Sequence, residues 1–198
     1  MKGALDTYVI RGVNHNVNFL RDVMENKTFC EGALSTNFIP EEYPEGFHGH
    51  VLKPEEKQNL FGVAAVMQAL RTHIKPNGGD IEMASINRPQ EWHLSLGGKG
   101  AETVPVMVCG DPSFDGPVLA VKFPDGKTLY VDVTKYTPGN KVIDVTINGV
   151  RTVFQHMSTT GVNYTLQYIG SSYEVRVISP REAQYIDHMP EPHVLDLT

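Results

Sequence analysis

The sequence predicts an α+β fold in which a long central helix is enclosed by an eight-stranded antiparallel β-barrel, preceded by a small helical segment. Residues 54–74 have helical periodicity but are apolar around nearly the whole circumference. Residues 91–179 contain segments that alternate apolar and polar side chains, separated by tight-turn dipeptides. A helix that is apolar all round must be surrounded, and strands with one apolar face must close over something.

An alternative arrangement places the helix on one face of a two-sheet sandwich. That packing would leave half of the helix, near Val66, Ala69 and Leu70, facing water. The wrapped arrangement buries about nine apolar side chains at roughly 1.5–3 kcal/mol each before chain ordering is subtracted. Burial therefore favours the barrel, and the sandwich stays open at this stage.

Residues 1–40 predict short amphipathic helices. Ala4, Leu5, Tyr8 and Val9 fit a first helix, and Asn16 can cap a second. The apolar faces of these predicted helices have too few apolar partners within residues 1–40 to form a core of their own. Residues 41–53 contain proline and glycine without any period, which is typical of a linker.

The central helix begins at Pro54, where the missing N–H of proline costs nothing. Glu55 and Glu56 suit its positive end, and Pro76-Asn77-Gly78-Gly79 stops it. Gly62 lowers the helix propensity by roughly 1 kcal/mol relative to alanine. We therefore expect another group to pass close to Gly62.

The predicted strands are short, and Asp-Gly and Asn-Gly dipeptides between them favour two-residue hairpins, because both central residues need positive φ. A capping box at Ser179–Glu182 predicts a closing helix to about residue 189, and prolines 190 and 192 predict a linker. The strand segments are EWHLSL, TVPVMVC, PVLAVKF, LYVDVTKY, KVIDVTI, RTVFQHM, VNYTLQYI and SYEVRVI.

Composition argues against several classes of function. The formal net charge is −6, and no run of lysine and arginine is present. Nucleic-acid and anionic-membrane surfaces require clustered cations, so neither partner is expected. No apolar run reaches the ~20 residues of a membrane span. Cys30 and Cys109 are too few for a disulfide framework.

No complete catalytic constellation is visible. His48 and His50 form the best metal candidate, but two ligands without a nearby cysteine or acidic cluster are weak, and exposed histidines are the simpler interpretation. No nucleophile elbow, P-loop or dinucleotide motif occurs. A barrel filled by its own helix also leaves no lumen for a ligand, which disfavours a transport barrel.

The remaining feature is a long loop at residues 76–90, between the helix and the first strand. It carries Ile81, Met83 and Ile86, which are unusual in a solvated loop. Spaced apolar side chains in an extended segment suit docking on a partner. The alternative is that the loop folds back over the barrel mouth.

Several segments resemble the α subunits of propionyl-CoA carboxylases, a family of biotin-dependent enzymes. Residues 4–39 are similar to the C-terminal end of a biotin carboxylase domain, with an Arg-Gly-Val turn, a His-Asn helix start and a closing Ser-Thr-Asn-Phe-Ile. YPEGFHGHVL and SPREAQYIDHMPEP are similar to that family more specifically. The resemblance covers essentially the whole chain and is looser in the strands.

The resemblance implies a domain organisation. Residues 1–40 would be the end of a biotin carboxylase domain, 41–53 a linker, 54–189 an assembly (BT) domain, and 190–198 a linker toward a biotinyl domain. The Ala-Met-Lys-Met motif that carries biotin in the family does not occur. Biotin, ATP and Mg are cofactors of the parent enzyme, and none is expected to bind this segment alone.

The resemblance also implies a non-catalytic assembly function. The loop at 76–90 would be a hook that docks the carboxyltransferase β subunit, with contacts from Ile81, Met83, Ile86, Asn87 and Arg88. Other α-subunit domains would be further partners. Thr36 and Asn37 match a segment near the nucleotide and would be a remnant of that site. The compartment would be the mitochondrial matrix or, alternatively, a bacterial cytoplasm. The alternative function is a small-molecule-binding β-barrel.

Overall fold

A computed structural model of the chain describes residues 1–13, 15–73, 86–97, 101–114 and 116–185. Four short helices come first, then the long helix α5 (Pro54–Thr72), eight strands, and a closing helix α6 (Pro180–Tyr185). The short helices are α1 (Lys2–Thr7), α2 (Val17–Val23), α3 (Lys27–Cys30) and α4 (Phe38–Glu42). The strands are β1 (Gln90–Leu96), β2 (Val104–Gly110), β3 (Val118–Lys122), β4 (Thr128–Asp132), β5 (Val142–Ile147), β6 (Val150–Thr160), β7 (Asn163–Tyr168) and β8 (Ser171–Ile178).

The eight strands form a closed antiparallel barrel in sequence order. Each strand pairs with the next, and β8 returns to β1 through pairs such as Leu94 with Val177. Closure removes the unpaired edges that an open meander would present. Every predicted strand segment is present, so the period-two alternation located all of them correctly.

Helix α5 fills the lumen of this barrel, and the wrapped arrangement is confirmed. The helix side chains from Leu60 to Leu70 are buried with the single exception of Gln68, and they join the inward side chains of the strands in one core. A Cβ built on Gly62 would lie 3.1 Å from Leu129 Cδ1. The close approach expected at Gly62 is therefore made by β4, and the sandwich alternative is excluded.

Two polar side chains of α5 also lie within the barrel, and inward tyrosines of β7 satisfy them. The Tyr164 hydroxyl donates to Gln68 Oε1, and Tyr168 bonds to the Asn59 side chain. The two tyrosines lie at opposite ends of the strand. Strand β7 is thus hydrogen-bonded to α5 near both ends of the strand. These bonds define the position of the helix along the barrel axis.

Strand β4 is shorter than the alternation predicted. The predicted segment reaches Tyr136, but the strand ends at Asp132. Asp132 Oδ1 accepts hydrogen bonds from the Thr134 backbone N–H at 2.8 Å and the Thr134 hydroxyl at 2.6 Å. This side chain turns the backbone out of the sheet, an effect that apolar periodicity does not reveal.

The N-terminal helices pack on the outside of the barrel through a polar contact. Arg21 is only 7% exposed, its Nε donates to Asp6 Oδ1 at 2.8 Å, and its Nη1 lies 3.0 Å from Glu25. The same side chain lies over Gly170, where an added Cβ would be 3.0 Å from Arg21 Cγ. Gln155 of β6 donates to the Asp6 carbonyl at 3.0 Å. Helices α1 and α2 therefore pack at a defined position on the outside of the barrel.

No helix in the described part of the chain is long and apolar enough to cross a membrane.

Candidate functional site

The lumen of the barrel offers no room for a ligand, because the side chains of α5 occupy it. Among the described residues, three clefts lie at the rims of the barrel. One of about 570 Å³ opens beside the start of α5, between Gln58, Thr128 and Val150. Two smaller ones, of about 450 and 230 Å³, lie at the end of the barrel where α5 finishes. This placement disfavours the transport-barrel alternative and directs attention to the rims and loops.

The described end of the predicted docking loop begins with a buried anchor. Ile86 is completely buried and belongs to the core of the barrel. Its side chain is therefore not available on the surface, and its role in this structure is to hold the end of the loop against the barrel. Ile81 and Met83 lie outside the described residues.

The next two residues of the loop are placed differently. Asn87 and Arg88 are both exposed. Asn87 also packs tightly against the end of β2, since a Cβ on Gly110 would lie 2.5 Å from Asn87 Oδ1. A larger residue at Gly110 would therefore displace the Asn87 side chain from this contact. Both residues follow the buried Ile86 directly in the chain and lie on the surface.

An apolar surface adjoins this point on the barrel wall. Phe114 of the loop after β2 packs on Tyr130 of β4 with ring centroids 5.3 Å apart. Phe114 remains 45% exposed, and Met107 on β2 remains 40% exposed. The cleft of about 450 Å³ joins this loop to Asn87. We call Met107, Phe114 and Tyr130 the β2–β4 flank. Exposed aromatic and methionine side chains are typical of interface residues.

The predicted nucleotide-site remnant lies elsewhere. Thr36 and Asn37 are exposed at the start of α4. The Asn37 backbone N–H donates to Ser35 Oγ at 3.1 Å, and Asn37 precedes the helix without a capping hydrogen bond from its side chain. The assignment of Thr36 and Asn37 to a nucleotide site stays a prediction.

The two histidines considered as metal ligands have separate surroundings. His48 is exposed, but His50 is half-buried and its Nε2 lies 2.8 Å from Glu56 Oε2. The interpretation of His50 as a solvent-exposed residue is therefore wrong. In the described ranges, no three His, Cys, Asp or Glu side chains are grouped so as to hold a metal ion.

His50 belongs to a strap that joins the 41–53 segment to the barrel. Its backbone N–H donates to Ser171 Oγ at 2.7 Å, and its carbonyl accepts from the Tyr173 hydroxyl at 2.6 Å. Glu56 Oε2 accepts from the Lys53 backbone N–H at 2.8 Å, which caps the start of α5. Sequence reasoning missed this strap, although a glutamate three residues after the helix boundary was a usable signal.

Burial opposes ionisation of Glu56, but the hydrogen bonds from Lys53 and His50 outweigh burial and lower the pKa of the carboxyl. The carboxylate therefore stays charged at neutral pH. The segment between Tyr43 and Lys53 contains neither helix nor strand, as expected of a linker, yet its last residues are fixed to β8. Its geometry positions the helix start relative to the barrel wall.

These features define a class of protein module. The described part is a solid barrel built around its own helix, with an anchored loop base, an adjoining apolar flank and an N-terminal helical layer.

The chain belongs to the family of propionyl-coenzyme A carboxylase BT domains, whose family profile matches residues 60–191. It is 31% identical over 216 residues to a mitochondrial propionyl-CoA carboxylase alpha chain of Caenorhabditis briggsae, covering 100% of this chain and 28% of that protein. The human mitochondrial alpha chain is 32% identical over 198 residues, covering 96% and 26%. An alpha chain of Ruegeria pomeroyi is 31% identical over 195 residues, covering 96% and 27%. The chain spans about a quarter of the length of these relatives.

Proposed function

We propose that this chain is the assembly part of a propionyl-CoA carboxylase α subunit, and that it docks the carboxyltransferase β subunit. It would also connect the biotin carboxylase and biotinyl domains without taking part in the chemistry. The observation that carries the proposal is the solid helix-in-barrel core of a BT-domain family member. An interior packed with apolar side chains supports a structural role.

The docking surface would consist of the hook loop and the β2–β4 flank. Asn87 and Arg88 are exposed directly after the buried Ile86, and Asn87 and Phe114 of the flank line the same cleft. Aromatic, methionine and arginine side chains are enriched in interfaces. Aromatic and arginine side chains often contribute most of the binding energy. Ile81 and Met83 are the further contacts that the loop sequence predicts.

The compartment would be the mitochondrial matrix, because several relatives are described as mitochondrial. A bacterial relative keeps the bacterial cytoplasm as the alternative. Biotin, ATP and Mg would act in other domains of the same α subunit, so this part of the chain would need none of them for docking.

Co-purification of the full α chain with its β subunit tests the proposal. Replacing Arg88 by alanine and Phe114 by serine should reduce recovery of the β subunit at least tenfold. The double replacement of Ile81 and Met83 by serine should do the same. Ile86→Ser is unsuitable, because a polar side chain at this buried position would destabilise the barrel itself.

Val150→Ser provides the matched control. Val150 is 67% exposed and lies on β6 at the opposite end of the barrel. This variant should recover the β subunit as well as the unaltered chain does. Full recovery with the Arg88, Phe114, Ile81 and Met83 variants, each verified as folded by circular dichroism, would overturn the docking assignment.

A further inference from the structure

A small pocket of about 230 Å³ opens at the end of the barrel where α5 finishes, and the docking proposal does not use it. Four elements converge on it: the last two turns of α5, the loop between β4 and β5, and strands β6 and β7. Its lining includes Met67, Arg71, Tyr136, His156, Thr159 and Tyr164. Its lining combines apolar and aromatic side chains with a few polar ones, which is the usual composition of a small-ligand site.

An irregularity in strand β6 shapes one wall of this pocket. The pairing between β6 and β7 shifts register between His156 and Ser158. Such a bulge re-aims the side chains that follow it, and bulges are frequent beside binding sites. Here Thr159 is turned so that its hydroxyl lies 2.6 Å from His156 Nε2. The bulge therefore brings two polar side chains of one strand to the same wall.

Arg71 supplies an unused positive charge. In the described part of the chain, its guanidinium makes no ion pair and no hydrogen bond, and the side chain is exposed at the pocket mouth. By contrast, Arg21 and Arg151 each pair with an acidic side chain. A guanidinium presents N–H donors in a planar fork that matches an oxyanion.

The other polar groups described near the pocket can donate hydrogen bonds to an anion and add no negative charge that would repel it. Burial, with a smaller effect of Tyr164, raises the pKa of Tyr136 to about 12, so its hydroxyl keeps its proton at neutral pH. Arg11 Nη2 donates to the His156 carbonyl at 3.4 Å and adds a second cation nearby. Among the described residues, none that lines the pocket is acidic, although the whole chain carries a formal charge of −6.

One local effect opposes an anion. The C-terminal end of a helix carries a partial negative charge of about half an elementary charge, and α5 ends at Thr72. Its last carbonyls are partly neutralised, because the Thr72 hydroxyl donates to the Ala69 carbonyl at 2.7 Å and the His73 N–H to the Leu70 carbonyl at 3.0 Å. The full charge of Arg71 outweighs what remains.

We propose that this pocket binds a small oxyanion, the phosphate or carboxylate group of a small molecule. Arg71 holds the anion through two N–H groups, and the Tyr136 hydroxyl donates a further hydrogen bond. Thr159, oriented by His156, closes the opposite side. The site lies on the barrel rim and does not require the β subunit.

Anion titrations of the 15N-labelled chain test the site. Inorganic phosphate and acetate are added separately at constant ionic strength, with chloride as the control for screening. Backbone amide signals of Asn140, His156 and Thr159 should shift saturably with phosphate, with acetate or with both, and not with chloride. The anion that gives the shift identifies whether phosphate or carboxylate is the preferred group.

Variants separate a built site from general attraction of anions. Arg71→Gln should weaken binding at least tenfold, Tyr136→Phe severalfold, and Arg71→Lys should bind more weakly than the unaltered chain because an ammonium cannot make the bidentate contact. Arg151→Gln removes one positive charge from the other end of the barrel and should bind normally. The absence of saturable shifts, or equal dissociation constants for Arg71→Gln and the unaltered chain, would overturn the proposal. Neither result depends on docking of the β subunit.

Discussion

At the scale of single residues, Glu56 makes two contacts at the start of α5. Its carboxylate caps the first turn of α5 through the Lys53 N–H and pairs with His50 on the strap. Lys53 at the cap position cannot return the hydrogen bond, because its ammonium has no acceptor. Glu56 therefore makes only half of a capping box, and the helix start depends on this one side chain.

Replacing Glu56 by alanine should lower the free energy of unfolding at neutral pH by ~1 kcal/mol, the usual effect of a lost cap. Glu56→Gln keeps the hydrogen-bonding shape without the charge and should lose less. Because the pKa of Glu56 is lowered in the folded chain, the stability it adds is present above the ordinary glutamate pKa of about 4.3 and disappears as the pH falls through the lowered value.

Urea denaturation from pH 7 to pH 3 measures this effect. The difference in unfolding free energy between the unaltered chain and Glu56→Gln should hold at neutral pH and shrink below about pH 4. A difference that does not change across this range would show that the charge of Glu56 has no part in stability.

At the scale of elements, the pairing of β4 with β5 is the shortest in the barrel wall. It contains two register pairs, whereas β5 and β6 share six. Asn148 extends this contact from the following turn. Its N–H donates to the Tyr130 carbonyl at 2.9 Å, and its Oδ1 accepts from the Tyr130 N–H at 2.8 Å. The Asn-Gly turn was predicted as a hairpin. Its two hydrogen bonds to Tyr130 of β4 were not predicted.

Replacing Asn148 by alanine should destabilise the chain by about 0.5–1.5 kcal/mol, because the Tyr130 N–H of β4 loses its side-chain acceptor. The positive φ of 49° at this position, which asparagine tolerates better than alanine, acts in the same direction. Amide hydrogen exchange should locate the effect at Tyr130 and the start of β4. Asn140→Ala in the loop before β5 serves as the comparison. Equal exchange rates at Tyr130 in the Asn148 variant and the unaltered chain would contradict a stabilising contact between Asn148 and β4.

At the scale of the whole molecule, the filled lumen makes the barrel and the helix mutually dependent. Val66 is 2% exposed and lies near the middle of α5. The barrel has no second interior that could replace the helix, and the helix has no other apolar surroundings. Folding of the two is therefore expected to be one cooperative transition.

Val66→Asp should unfold the chain or leave it without fixed packing. An unpaired carboxylate at this depth costs ~4 kcal/mol or more, which is most of the stability of a typical domain. Thermal unfolding followed by near-ultraviolet circular dichroism measures the loss. Val150→Asp, at a position 67% exposed, should melt like the unaltered chain. A cooperative transition at an unchanged temperature in Val66→Asp would refute the enclosed helix.

The sequence by itself determined the elements and their arrangement, because period-two alternation, helical periodicity and turn dipeptides act over a few residues. The all-round apolar character of α5 also favoured strands that enclose it over a two-sheet sandwich, and the closed barrel then excluded the sandwich. The sequence also identified the capping box of α6, in which Ser179 and Glu182 hydrogen-bond to each other.

Only the tertiary structure decided which distant residues meet. Arg21 packs on Gly170, the His50 N–H donates to Ser171, and Arg71 lines a pocket with Tyr136. No local pattern specifies such pairs. Likewise, Ile86 has the same apolar character in the sequence as Ile81, yet the fold buries it in the core. Burial depends on how the closed barrel places each residue, which requires all eight strands at once.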